Sequence, residues 1–368
     1  MQDREMIVVA LSGGVDSATA AAMLVEAGFR VVGITMRLYN ARGTASASGG
    51  RCCGPRDMED ARKVCSHLGI PFYVANYEDE FRRAVIDDFV SEYVAGRTPN
   101  PCVRCNEKVK FAPLLARARA LGASKLATGH YARIDHDARG PRLLRGVDEN
   151  KDQSYFLFPL LGKTLESLMF PLGGLTKEEV REKARAYGIP NAGKPESQEI
   201  CFVPDGDHVG FVERISGDAA PRAGEVVDIR GRVLGSHDGV HRFTVGQRRG
   251  LGGALGGGQP MYVVSVDALT RRVTVGSREE TRHVGMRVAD VRWMGECPSG
   301  PLRAEVQIRH RHRAVPGSVI PDRECGSSAM VSFDSPLSSV APGQAAVFYQ
   351  NDVVMGGGWI ESGQRADN

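Results

Sequence analysis

The stretch Leu11-Ser12-Gly13-Gly14-Val15-Asp16-Ser17-Ala18 has the composition of an anion cradle. It lies between an apolar run, Ile7 to Leu11, that reads as a buried strand and an Ala-rich run, Ala18 to Ala27, that reads as a helix. Backbone N–H groups converge where a strand turns into a helix, and the helix dipole favours negative charge there. Gly13 and Gly14 let the backbone approach a phosphate with no Cβ in the way. Ser12 and Ser17 add hydroxyl donors, and the Asp16 carboxylate can hold a magnesium ion. No lysine follows the glycines, so this is not the Walker pattern. The plain alternative is a tight strand–helix turn of the kind many doubly wound folds carry without a nucleotide.

Cysteines form the second group. Cys102 and Cys105 lie in Thr98-Pro99-Asn100-Pro101-Cys102-Val103-Arg104-Cys105-Asn106, and Cys201 lies in Ser197-Gln198-Glu199-Ile200-Cys201-Phe202. The two prolines fix a rigid turn ahead of a helix whose N-terminus is expected near Cys105. A helix N-terminus and the neighbouring Arg104 both lower a thiol pKa, and the thiolate is the nucleophile. A single cysteine is as often a small buried apolar residue. The Pro-bracketed loop beside a candidate nucleotide site sets Cys105 apart, whereas Cys201 alone is unreadable. Cys52, Cys53 and Cys65 read as surface or core residues.

The elements that must position these groups alternate in the first half of the chain. Apolar runs at 7–11, 31–36 and 70–75 are separated by helical patterns at 15–28 and 57–68. Further helices are expected near 78–95 and 106–121, and a short strand at 125–128. This is the pattern of a doubly wound parallel sheet, which binds ligands at the carboxyl ends of its strands. The Gly-rich turn, Met36 and Thr128-Gly129-His130 would share that edge. The Ser/Gly/Ala-rich segment 41–50 reads as a loop. After about residue 205 the character changes. Glu213 to Asp228 reads as a linker and then a strand. Short alternating runs follow at 272–275, 288–293, 304–309, 329–333 and 345–349, the pattern of a small β-barrel. The glycine cluster 250–258 reads as a loop. The expected class is α/β, with a catalytic domain at 1–207, a small central β domain at 208–280 and a C-terminal β-barrel at 281–368.

Composition narrows the partners. The net charge of +3 gives no global field for nucleic acid, so any such surface is local. Nine of the 47 basic residues are lysines, and the arginine excess suits phosphate and base recognition. Asp3, Arg4 and Glu5 precede a short apolar strand, which is no signal peptide, and no apolar run approaches ~20 residues. The expected compartment is the cytoplasm. Eight cysteines there point to catalysis, redox or metal chemistry rather than structural disulfides.

Taken in order, several blocks form one set. They are Ser12-Gly13-Gly14-Val15-Asp16-Ser17, the 98–106 loop with Lys110-Phe111 following, Ala127-Thr128-Gly129-His130-Tyr131, Lys151-Asp152-Gln153-Ser154-Tyr155, 197–202 and Pro342-Gly343-Gln344. Over residues 7 to about 361 the set resembles the bacterial tRNA-specific 2-thiouridylase family, within the ATP pyrophosphatase superfamily. The resemblance implies an ATP site formed by Ala10, Leu11, Ser12, Gly13, Gly14, Val15, Asp16 and Ser17, bordered by Met36 and Gly129. It makes Cys105 the nucleophile and Cys201 the carrier of a persulfide. Asn100, Pro101 and Cys102 match the stretch that meets the target base. Lys151, Asp152, Gln153, His130, Arg309, His310 and Gln344 match tRNA-contacting positions. The implied chemistry is adenylation of the C2 oxygen of the wobble uridine of Lys, Glu and Gln tRNAs, with ATP and Mg2+. Sulfur then moves from the persulfide, leaving a transient Cys105–Cys201 disulfide for an external reductant.

Two positions depart from the family. Residue 102 is Cys where other members carry an Asp proposed as acid or base, and residue 310 is His where a Tyr would stack on RNA. The basic run Arg309 to Arg313 reads as an RNA surface or as a solvated strand edge, and Gln247-Arg248-Arg249 is a weaker candidate. Cys102 also opens a second route, in which Cys102, Cys105 and Cys201 hold a [4Fe-4S] cluster with an open iron. A different adenylating reaction, and a sulfur carrier or tRNA-binding protein without turnover, are the further readings. The resemblance implies a cysteine desulfurase or relay protein as sulfur donor, and a monomer is the default state.

Overall fold

The computed structural model describes residues 4–39, 54–138, 140–195, 200–203, 206–251, 259–322 and 326–366. The loop expected at 41–50, Cys52, Cys53, residues 197–199 and most of the glycine cluster lie outside them. The chain divides into two compact units. One comprises residues 1–85, 102–206 and 352–354, and the other comprises 86–101, 207–351 and 355–368.

The first unit is built on a parallel sheet. Its first elements are β1 (Met6–Ala10), α1 (Val15–Glu26), β2 (Arg30–Arg37), α2 (Pro55–Leu68) and β3 (Phe72–Asn76). Helix α3 (78–94) contains a π-helical turn at Arg82–Ile86, and α4 (101–120) contains another at Cys105–Lys110. Next come β4 (Lys125–Thr128), the hairpin of β5 (Ala132–Asp137) and β6 (Gly140–Arg145), the short β7 (Leu168–Met169) and α5 (Lys177–Ala186). The sheet order is β3-β2-β1-β4-β7, and every adjacent pair is parallel. β1 is central, with Val8 opposite both Val32 and Leu126. Covered on both faces, it is a continuous apolar run rather than an alternating one. On one face Ile7, Val9 and Leu11 pack with Leu24, Ala61 and Cys65. α1 is rich in alanine because Val15, Ala18 and Ala22 sit close against Val64, Ala184 and Ile189.

Cys65 is therefore a core residue. A Cβ on Gly33 of β2 would stand 2.5 Å from its Sγ, and burial pushes its thiol pKa up to about 12. The β5–β6 hairpin was not anticipated. It gains a third strand from the returning chain, where Val353 lies opposite Leu144 and Arg145 N–H donates to Asp352 O (2.8 Å).

The second unit opens with a correction. Residues 208–216 form helix α6 (His208–Ser216), so Glu213 is helical and the expected linker begins only after Ser216, ahead of the strand that ends at Asp228. Asp207 caps the helix by accepting from Gly210 N–H (2.9 Å), and Phe211 packs edge-on against Phe89 (6.1 Å). A four-stranded sheet follows: β8 (Gly224–Asp228), β9 (Val233–His237), β10 (Tyr262–Asp267) and β11 (Arg272–Gly276), in the order β10-β11-β8-β9. The remaining strands are β12 (Arg282–Trp293), β13 (Leu302–Gln307), β14 (Val315–Pro321), β15 (Ser328–Ser338), β16 (Ala345–Gln350) and β17 (Val353–Gln364). They run β12-β15-β14-β13-β16-β17, and β12 pairs with β17 to close a six-stranded barrel. Inward residues Met286, Val306, Val319, Val331, Phe348 and Ile360 fill it. Among the described residues, no helix is long and apolar enough to cross a membrane.

Candidate active site

The Gly-rich turn leaves β1 where the sheet has β2 on one side and β4 on the other. That is the switch point at which open parallel sheets bind ligands. Leu11 N–H donates to Ile34 O (2.8 Å), and Thr35 Oγ1 donates to Leu11 O (2.9 Å), which fixes the strand exit. Inside the turn Ser17 Oγ accepts from Ser12 N–H (3.1 Å) and donates to Gly14 O (3.2 Å). The serines thus brace the loop as well as offering hydroxyls. Gly14 is the N-cap of α1 and no side chain caps that end. The first-turn N–H groups of Val15, Asp16 and Ser17 have no intrahelical acceptor and suit an anion.

The two glycines of the turn differ. Gly13 has φ +72°, and a Cβ there would stand 2.2 Å from the carbonyl oxygen of Asp57 in α2. A Cβ on Gly14 would meet only Ser12 Oγ, at 3.4 Å. Gly129, just past β4, presses on the other side of the turn, where a Cβ would stand 2.7 Å from Ser17 N. Met36 does not follow β2. The strand continues to Arg37 because β3 pairs along it, with Met36 opposite Ala75, and Met36 is buried.

Asp16 does not stand alone. Its Oδ1 accepts from Lys177 Nζ (2.6 Å) and from Tyr131 Oη (2.8 Å). Lys177 is the first residue of α5, is buried, and lies 5.7 Å from the centre of the Tyr131 ring. Both bonds fall on Oδ1, and a carboxylate held this way is of the hard-oxygen kind that magnesium takes. Lys177 was missed from sequence. Its signal is the capping box Thr176-Lys177-Glu178-Glu179, in which Thr176 N–H donates to Glu179 Oε2 (2.7 Å) and Thr176 Oγ1 accepts from Glu179 N–H (3.3 Å). A second missed pair, Asn191 and Lys194, donates to the carbonyl oxygen of Gly13 at 2.8 and 3.0 Å.

Among the thiols, α4 begins at Pro101, so its first turn carries Cys102 and not Cys105 as expected. Cys102 is exposed. Cys105 opens the π-helical turn and is buried. Arg104 pairs with Glu107 (3.2 Å). Asn106 donates to Phe156 O (3.2 Å) and anchors that turn. Cys201 is half-buried beside Phe202, whose ring meets Phe81 edge-on at 5.6 Å. Cys65, Cys102, Cys105, Cys201 and Cys297 are all thiols. Among the described residues, no three His, Cys, Asp or Glu side chains are grouped to hold a metal. Cys102, Cys105 and Cys201 are not grouped as such a set among the described residues.

His130 lies between the rings of Phe111 (5.7 Å) and Phe170 (5.9 Å), with Nδ1 2.7 Å from Thr128 Oγ1. Burial, with the Lys110 charge nearby, holds its imidazole well below the ordinary histidine range, so it is neutral. Asp152 turns inward, where Oδ1 accepts from the N–H groups of Gly146 (2.9 Å) and Ser154 (3.0 Å). Gln153 also turns inward, accepting from Tyr131 N–H (3.0 Å). Both organise the loop, and Lys151 is half-buried beside them.

In the second unit Asn100 and Pro101 are buried. Gln344 Nε2 donates to Thr98 O (3.1 Å) and Pro99 O (3.0 Å), so it braces the chain leading into Asn100. Arg309, Arg311 and Arg313 are exposed and His310 is half-buried. Gln307 holds their turn by donating to the carbonyls of Arg309 (3.2 Å) and His310 (2.8 Å).

Comparison with known proteins covers the chain in three parts. Residues 5–205 match a family described as the tRNA methyl transferase HUP domain. Residues 210–277 match the tRNA methyl transferase PRC-barrel domain, and residues 283–360 match the aminomethyltransferase beta-barrel domain. Among curated proteins, the tRNA-specific 2-thiouridylase MnmA of Geobacter metallireducens is 52% identical over 98% of this chain and 97% of its own length. The protein of that name from Geotalea uraniireducens is 50% identical, covering 97% and 95%. That of Solibacter usitatus is 48% identical, covering 96% and 99%.

Proposed function

This chain belongs to the tRNA-specific 2-thiouridylase family, and we propose that it replaces the C2 oxygen of the wobble uridine in Lys, Glu and Gln tRNAs with sulfur. One observation carries the reading. A capless helix start with Gly13 and Gly14 sits at the switch point of a parallel sheet, in a chain that follows its 2-thiouridylase relatives over nearly its whole length.

The uridine C2 carbonyl is a poor electrophile. In the proposed reaction its oxygen attacks the α-phosphate of ATP and pyrophosphate leaves. The amides and hydroxyls of Ser12 to Ser17 hold the departing charge, as fixed dipoles do without reorganising. Lys177 and Tyr131 hold Asp16 in place, and its carboxylate would hold the metal. Magnesium, when bound, neutralises phosphate charge. The C2–O2 bond is then the one to break, because AMP is a good leaving group.

Sulfur arrives as a persulfide on Cys201. Its terminal sulfur attacks C2, and AMP departs with the former carbonyl oxygen. The Cys105 thiolate then attacks the inner sulfur on Cys201. The S–S bond to the new thiouridine breaks, and a Cys105–Cys201 disulfide forms. A thiol reductant supplies two electrons to restore both thiols. The base must leave its stack, which costs about a few kcal/mol and less in a single-stranded loop. Asn100, Pro101 and Cys102 are the proposed base-side residues, and His130 is a proposed tRNA-side residue. Lys151, Asp152, Gln153, Arg309, His310 and Gln344 are the proposed tRNA-side residues, with Asp152, Gln153 and Gln344 acting through the loops they brace. Met36 and Gly129 flank the adenosine in the same reading.

The domain division 1–207, 208–280 and 281–368, a cysteine desulfurase or relay as donor, and a monomer working in the cytoplasm belong to the same proposal. The test is nucleoside mass spectrometry after incubation with a Gln tRNA transcript, ATP, magnesium and a persulfide-generating desulfurase. One sulfur gained for one oxygen, mapped to the wobble uridine and lost in Cys105→Ser and Cys201→Ser, is expected. Unmodified tRNA alongside ATP turnover refutes it.

A further inference from the structure

The Gly13–Gly14 peptide is the one bond in the phosphate loop that can present either face. A trans peptide points its C=O and N–H in opposite directions. Flanking glycines make a flip inexpensive, and Gly13 already sits at φ +72°. If Gly13 O turned toward the ligand, it would repel polyphosphate and withdraw the Gly14 N–H.

Two side chains hold that oxygen away. Asn191 Nδ2 lies 2.8 Å from it and Lys194 Nζ 3.0 Å. Lys194 is itself fixed by α2, through Asp57 Oδ1 (2.7 Å) and Asp60 Oδ2 (2.6 Å). Asp57 is in turn fixed by its other oxygen, which accepts from Gly54 N–H (3.0 Å), while its backbone lies against Gly13. Burial works against the Lys194 charge, but the two carboxylates outweigh it and keep the ammonium protonated. Gly14 N–H, the opposite end of the peptide, donates a long bond to Ser12 Oγ (3.4 Å) inside the loop, a bond weak enough for a phosphate oxygen to replace.

We propose that Lys194, with Asn191, is a positioning residue that holds the Gly13–Gly14 peptide with its N–H facing the ATP phosphates. The inference rests on the nucleotide reading of this loop. It predicts an effect on ATP binding before any effect on sulfur transfer, because neither side chain reaches the thiols through a bond described above. Lys194 works through the Gly13 carbonyl. Its neutralisation of Asp57 and Asp60 serves to keep it there.

The experiment is calorimetric titration of the full-length protein with a non-hydrolysable ATP analogue and magnesium, paired with steady-state KM and kcat for ATP. Wild-type binding is the control, since a protein that binds no nucleotide overturns both the loop reading and this inference. Lys194→Met should weaken binding about tenfold or more, as loss of a charged hydrogen bond does. KM should rise while kcat changes much less. Asn191→Ala should act in the same direction but less strongly, and Lys194→Arg should retain most of the affinity. In Lys194→Met/Asp60→Asn one of the two carboxylates Lys194 neutralised is itself made neutral. That double variant should stay impaired, because the peptide is still unheld. Recovery of wild-type affinity there would show that only charge mattered and would overturn the proposal. So would wild-type affinity in Lys194→Met, or losses of kcat and melting temperature in parallel with KM.

Discussion

Replacing Gly13 and Gly14 one at a time with alanine separates two roles that look identical in the sequence. At Gly13 the added Cβ would stand 2.2 Å from Asp57 O and 2.7 Å from Asp57 Cα, and both are backbone atoms that cannot rotate away. Normal contact needs roughly 1 Å more, so α2 or the loop must move. An L-residue at φ +72° costs about 1–2 kcal/mol, and overpacking of this kind costs about 1–3 kcal/mol. Gly13→Ala should therefore lose about 2–5 kcal/mol of stability. At about 2–4 °C per kcal/mol for a domain of this size, the melting temperature should fall by about 10 °C. Gly14 has φ −93°, and its Cβ would meet only Ser12 Oγ at 3.4 Å. Gly14→Ala costs no more than an N-cap change, about 1 kcal/mol. Its methyl would instead occupy the face where phosphate approaches. Differential scanning fluorimetry with and without ATP and magnesium reads both effects. Gly13→Ala should melt early, and Gly14→Ala should melt near wild type but lose the ATP-induced shift. A Gly14→Ala protein that keeps the full shift, or a Gly13→Ala protein as stable as wild type, would refute this reasoning.

Further outcomes are expected. Iodoacetamide at pH 8 should label Cys102 and Cys297 quickly and leave Cys65 unmodified in the folded protein, since its thiol is held at about 12 by burial; peptide mass mapping reads this. Lys177→Met removes the ammonium from Asp16 and should cost about 2 kcal/mol of stability in denaturant unfolding while raising the KM for ATP. Burial holds His130, His237, His283 and His312 below the ordinary histidine value. The unfolded chain thus takes up protons first as pH falls below about 6.5, and stability is full above that pH and lost as pH drops toward the depressed values. Urea unfolding at pH 7.5 and 5.5 should show the loss, with a smaller one in His130→Gln; equal losses would remove His130 from the account. Gln344→Ala should release the carbonyls of Thr98 and Pro99 at about 1 kcal/mol per bond, seen as faster exchange of the Thr98 and Asn100 amides.

Local chemistry was legible in the sequence, and long-range pairing was not. The Gly-Gly turn could be read because a strand, two glycines and a helix start lie within a dozen residues. The strands near 7–11, 31–36 and 125–128 were readable for the same reason: buried parallel strands are continuous apolar runs. Lys177 and Lys194 were invisible because their partners Asp16 and Gly13 are 161 and 181 residues away. Gln153 and Gln344 matched the family pattern, but only geometry shows their amides turned toward backbone rather than outward. The linker expected from Glu213 began too early, since Asp207 caps a short helix that buries only Phe211 and Val212. Cys65 needed Gly33 beside it to be recognised as packing.

Residues 352–354 carry a consequence for the order in which the protein can be built. They belong to the unit that holds the phosphate loop, where Asp352 accepts from Arg133 at 2.6 Å across 219 residues of sequence. During synthesis the loop and the whole parallel sheet emerge long before this short segment does. Until it arrives, β6 keeps an unpaired edge, and such edges recruit neighbouring chains. Closing so long a loop is also slow. The ribosome therefore delivers the parallel sheet well before residues 352–354, and synthesis of the barrel strands between them sets the pace at which that unit becomes complete.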